Sequence, residues 1–149
     1  MGTLGIFDAQ SSKEDEDGNP IADVSQYKVH SRSISTLAFD PVSASSLYTS
    51  SYDGSIRKFD LATGVASEVF VAEDGDMLSG VEVHDANMVY FSTLDGLFGR
   101  RDLRQKKTDM FTLHEKKIGG FSMHPRAPHL IATGVSGVPH IPTSYTNLK

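Results

Sequence analysis

Apolar and polar positions alternate in short bursts along this chain, and nearly every burst ends at a turn-forming residue. From His30 to Gly64 the sequence reads HSRSISTLAFDPVSASSLYTSSYDGSIRKFDLATG and opens on a polar loop. An apolar run through Ile34, Leu37 and Phe39 follows, then a Pro41 turn, the run Leu47 to Ser51, the Asp53-Gly54 turn, and Ile56 to Phe59 closing on Asp60. Runs this short, each broken by Asp, Gly or Pro, predict a small antiparallel meander rather than helix.

The same pattern returns further along. Asp53-Gly54 recurs as Asp95-Gly96 and Asp60 as Asp102, while Ile34 recurs as Leu78 and again as Ile118. A period of about 40–45 residues with four short strands per unit is the signature of a WD-type propeller blade. The expected fold class is therefore all-β, a partial WD-type β-propeller with two near-complete four-stranded blades plus flanking blade fragments. Gly2 to Asp8 overlays Gly54 to Asp60 position by position, so residues 1–10 read as the end of a preceding blade. Residues 11–29, including SSKEDEDGNPIAD, read as an acidic inter-blade loop.

Blades are expected at residues 30–73 and 74–113, the second opening on Asp74 where the other copies have His30 and His114. Residues 114–137 read as an incomplete blade, in which Ser136-Gly137 replaces Asp-Gly. Pro139 and Pro142 then remove ladder donors, and residues 138–149 read as an irregular tail. Blades cannot bury their faces alone, so two of them predict a piece of a longer protein, a truncated product, or a ring completed with other chains, the first two being favoured.

Composition narrows the function classes. A net charge of -5 argues against whole-molecule attraction to nucleic acid or anionic membrane, so any DNA contact has to come from a local patch. The absence of cysteine excludes disulfides, thiolate zinc sites and a cysteine nucleophile. No apolar run approaches the ~20 residues that span a bilayer, and the N-terminus lacks a secretory layout, so the chain reads as intracellular with no membrane partner.

His30, Ser50 and Asp53 resemble a catalytic set, yet in a blade they read as a structural network: loop histidine, strand hydroxyl and turn carboxylate bracing one another. His84, His114, His124, His129 and His140 show no helical i, i+4 pairing, and no phosphate-cradling glycine pattern is present. Asp74 and Asp76 flank Gly75 in what reads as a solvated turn. No catalytic residue, metal site, cofactor or small-molecule substrate is expected.

Arg100, Arg101, Arg104, Lys106, Lys107, Lys116 and Lys117 form one basic run in sequence. Blade topology divides it. Arg104 to Lys107, with Arg126, fall on one rim, and Lys116 and Lys117, with Lys28 and Arg32, on the other. Asp102-Leu103-Arg104 ends a third strand where the other copies read Asp60-Leu61-Ala62 and Asp8-Ala9-Gln10, so its arginine belongs to one blade only. It is a candidate partner-docking element.

The segments LYTSSYDGSIRKFDL, VYFSTLDGLFGRRDLR and EKKIGGFSMHPRAPHLIATG resemble the fungal DNA damage-binding WD-repeat proteins of the CMR family, relatives of the small subunit of the damaged-DNA-binding complex. The likeness covers roughly residues 1–134. It implies a nuclear propeller that binds single- and double-stranded DNA, prefers ultraviolet-damaged DNA, and acts in DNA metabolism. It also implies a second rim that docks a ubiquitin-ligase adaptor through an Asp-x-Arg element, which Asp102 and Arg104 match, with Arg101 in place of the leading Trp. The expectation is a noncatalytic DNA-binding protein whose Lys28, Arg32, Lys116 and Lys117 contact phosphate. The alternative is a protein-interaction scaffold, a ubiquitin-ligase substrate receptor or chromatin adaptor, docking through Asp102 and Arg104.

Overall fold

A computed structural model describes residues 1–10, 13–73 and 75–135. Every regular element among them is a strand. β1 (Gly2–Ile6) opens the chain, β2 (Lys13–Glu14) and β3 (Pro20–Ile21) make a short hairpin, and β4 (Ser25–His30) returns to pair antiparallel with β1. β5 (Ile34–Phe39), β6 (Ser46–Ser51), β7 (Ser55–Asp60) and β8 (Val65–Val71) form a four-stranded meander. A second meander follows in β9 (Leu78–Asp85), β10 (Met88–Thr93), β11 (Leu97–Asp102) and β12 (Lys107–Thr112). β13 (Ile118–Met123) and β14 (Ile131–Val135) pair as an antiparallel hairpin.

The turns follow from their residues. The Oδ1 atoms of Asp8, Asp40, Asp60, Asp85 and Asp102 each accept the backbone N–H two residues on, closing the chain on itself. Gly54 and Gly96 take φ of +82° and +86°, the left-handed region that the Asp-Gly turns require. Repeat equivalence shows in the backbone as well. Tyr52 N–H donates to Ser33 O and Leu94 N–H to Met77 O, the same bond one copy apart.

Apolar side chains fill the gaps between sheets. Leu4 and Val29 meet Leu47 and Phe59 between the β1–β4 pair and the first meander. Tyr48 and Ile56 meet Leu78, Val81, Val89 and Phe91 between the two meanders. Phe98 then meets Phe121 edge-on at 5.1 Å, beside buried Ile118, between the second meander and β13–β14. Two bonds stitch the inner strands together: Val81 N–H to Thr36 Oγ1 at 2.8 Å, and Met123 N–H to Glu82 Oε2 at 3.0 Å. The sheets stack as blades do, each burying a face only against its neighbour, and the described residues do not close a ring. Leu37 and Phe39 remain 51% and 62% exposed, because β1 and β4 cover only the outer half of that face.

One region differs from the sequence reading. Within residues 11–29, expected as a loop, lie β2, β3 and β4 up to Val29. Tyr27 and Val29 turn into the core while Lys28 stays outside, so period-2 alternation against β1 supplies the strand. Asp74, Ser136-Gly137, Pro139, His140, Pro142 and the 138–149 tail lie outside the described residues.

Candidate nucleic-acid interface

The His30 side chain is fully buried at the end of β4. Its Nδ1–H donates to Asp53 Oδ2 at 3.1 Å, which leaves Nε2 to accept the Thr49 hydroxyl at 2.8 Å. Asp53 also accepts Ser31 N–H, Ser55 N–H and the Ser55 hydroxyl, the last at 2.6 Å. Burial alone raises the Asp53 carboxyl, but the Ser55 hydroxyl, the backbone donors of Ser31 and Ser55 and the neighbouring imidazole together hold it well below the usual carboxylate range. Burial lowers His30 further than Asp53 can raise it, so the ring is neutral near pH 7.

Ser50 is not part of this set. Its hydroxyl bonds those of Ser35 at 2.8 Å and Thr36 at 2.9 Å, on the opposite side of β6 from Thr49. Successive strand residues face opposite ways, and the register with β5 and β7 turns Thr49 toward the imidazole. The second meander repeats the serine pair as Ser79 with Ser92 at 2.9 Å, and the third copy repeats the histidine bond as His114 Nε2 with Thr133 Oγ1 at 2.8 Å.

This network fixes the loop rim from which Arg32 projects. Ser51 Oγ donates to Arg32 O and Ser33 O, Tyr52 N–H donates to Ser33 O, and the Arg32 guanidinium reaches Tyr52 O at 3.4 Å. Lys116 and Lys117, both exposed, sit on the same rim in the loop entering β13, against the Gly96 turn. Lys28 is exposed on the outer strand β4, two residues short of that rim. The structure thus brings three of the four expected phosphate contacts to one rim and places the fourth on the adjoining wall. Glu73, Asp76 and Glu115 share the rim loops, so the rim carries mixed charge rather than a uniform basic field.

The other rim is occupied differently. Arg104 donates from Nε and Nη2 to both Asp102 oxygens, at 3.3 and 3.1 Å, and its side chain is 66% exposed. That pairing lowers Asp102 and raises Arg104. Arg100 pairs with Asp109 at 2.7 Å and Lys107 with the same carboxylate at 3.4 Å. Arg101, standing where Phe59 stands one copy earlier, lies over the Phe70 ring at 5.4 Å and donates to Thr108 Oγ1. It serves as packing between sheets. Arg126 is exposed in the turn between β13 and β14.

Sequence reasoning passed over Tyr52. Its signal is its place directly before an Asp-Gly turn, where the second copy has Leu94, and the structure sets it beside Arg32.

Among the described residues no group of three or more His, Asp or Glu side chains is placed to hold a metal ion, and no helix is long and apolar enough to cross a membrane. No protein-family model matches the chain. Its sequence is 47% identical over 147 residues to a DNA damage-binding protein CMR1 of Phaeosphaeria nodorum, 44% over 149 residues to one of Chaetomium globosum, and 41% over 145 residues to one of Neurospora crassa. Each match covers 89% of this chain and 28% of the relative. The relatives are named for binding, not for a reaction. The chain is thus similar, over most of its length, to a stretch of the fungal DNA damage-binding CMR1 proteins that makes up 28% of their length.

Proposed function

We propose that this chain is part of a noncatalytic WD-repeat propeller that binds DNA, single- and double-stranded, with preference for ultraviolet-damaged DNA, and works in the nucleus. Residues 30–73 and 74–113 are its two blades, residues 1–10 end a preceding blade, and residues 114–137 begin the next. The observation that carries the reading is the placement of Arg32, Lys116 and Lys117 on one rim with Lys28 on the adjoining wall, in a chain whose relatives are named for damaged DNA. These cations meet phosphate and release counterions, which gives affinity with little sequence preference.

Four cations imply a slope of about -3 to -4 in log affinity against log salt for duplex. Titrating labelled irradiated and unirradiated duplex against this chain and against the longer protein at several salt concentrations reads that slope. Affinity without a slope, or none in either protein, sinks the proposal.

The Asp102–Arg104 pair on the opposite rim, its guanidinium exposed over a largely covered carboxylate, favours a second reading, a scaffold or ubiquitin-ligase substrate receptor. Arg104→Ala followed by partner capture separates the two. Loss of protein partners with DNA retention unchanged supports docking there.

A further inference from the structure

Met1, Ser31, Arg32, Ser33, Tyr52 and Met77 line a shallow depression on the loop rim. Its floor is rigid by construction. Asp53 holds Ser31 N–H, Ser51 Oγ holds the carbonyls of Arg32 and Ser33, and Ser33 O holds Tyr52 N–H. The backbone carrying both the guanidinium and the phenol ring is therefore tied down before any ligand arrives. The phenol ring is half-buried and the Arg32 side chain exposed. One copy later the aromatic is replaced by Leu94, so the arrangement occurs at one blade and has no part in the repeat's own architecture.

We propose that this depression is a seat for one unpaired nucleotide: Tyr52 stacks on the base, and Arg32 takes the phosphate linking it to its neighbour. The proposal rests on the DNA-binding reading above and adds what the rim recognises. A π-face of any base suffices for stacking, but a paired base offers its faces only to its stacked neighbours. Duplex DNA would thus engage the cations alone, while single strands and lesions that loosen pairing would gain the seat as well. Among the residues lining the depression Arg32 alone carries a charged side chain, so the phosphate belongs there.

The test uses Tyr52→Leu, Tyr52→Phe and Arg32→Gln in this chain, with a labelled oligothymidylate, the corresponding duplex, and a single strand carrying 2-aminopurine. Tyr52→Leu should weaken single-strand binding about tenfold to a hundredfold, as loss of one stacked base does. Duplex affinity and the salt slope should stay as they were. Tyr52→Phe should keep both the affinity and the quenching of 2-aminopurine, which Tyr52→Leu loses. Arg32→Gln should reduce the single-strand salt slope by about 0.7. Wild-type single-strand affinity in Tyr52→Leu, or equal losses on single strand and duplex, overturns the seat while leaving DNA binding standing. A wild-type chain that binds neither form overturns the seat, and the DNA-binding reading falls with it when the longer protein also binds neither.

Discussion

At the scale of single residues, buried polar groups act as braces between strands. His30 joins the end of β4 to the Asp53 turn and to β6, three segments that share no backbone ladder at that point. Replacing it with Ala leaves Asp53 and Thr49 short of a partner and opens a cavity, so His30→Ala should cost about 2–3 kcal/mol in urea unfolding. The pH dependence follows from the same pair. Both groups have folded values below their ordinary 6.5 and 3.8, so the unfolded chain binds more protons and acid destabilises. The His30 contribution is present above pH 6.5 and lost as pH falls below it, and that of Asp53 is lost below pH 3.8. His30→Ala should flatten the upper part of this profile and leave the lower part steep. A second residue-scale prediction concerns Lys106, which holds φ of 53° where Gly64 holds 70° one copy earlier. Lys106→Gly relieves a left-handed side chain and should raise stability by about 0.5–1 kcal/mol, read as a higher urea midpoint.

At the scale of elements, the meanders depend on side-chain size at a few crossings. Gly99 in β11 lies directly against the Phe91 ring of β10, and a Cβ there would occupy the ring's own space. Phe91 is fully buried and packs on Phe70 at 4.6 Å, so it has nowhere to move. Gly99→Ala should therefore destabilise by about 1–3 kcal/mol, and Gly119→Ala, where a Cβ has room, should not. Thermal unfolding of the two variants side by side checks the contrast. Most strands were legible from turn chemistry, since Asp, Gly and Pro mark the chain reversals. β4 was not, because Tyr27 and Val29 become an apolar face only once β1 lies beside them.

At the scale of the whole molecule, stability resides between sheets rather than within them. Tyr48 and Phe91 are fully buried because one meander covers the other, so β6 and β10 should have the slowest amide exchange. β2 and β3, exposed throughout, should exchange within the experiment's dead time. Prompt exchange from Ile34 to Thr133 would show that the stack does not hold itself together. Leu37 and Phe39 stay exposed on β5, so that strand should exchange faster than β6.

The sequence by itself determined the strand period, the turn positions and the pairing of His30 with Asp53, because each depends on residue type at a spacing that the backbone repeats. It also divided the basic run between two rims, since antiparallel strands send successive loops to opposite ends. Only the tertiary structure decided between Thr49 and Ser50. Both are hydroxyls, one residue apart, and a one-residue step on a strand reverses the face, so register alone selects the partner of the imidazole. Tertiary packing likewise turned Arg101 into an inter-sheet spacer over Phe70, and the pairing of β5 with β6 set Tyr52 beside Arg32. Both outcomes depend on segments distant in sequence meeting in space, and a local pattern carries no record of that.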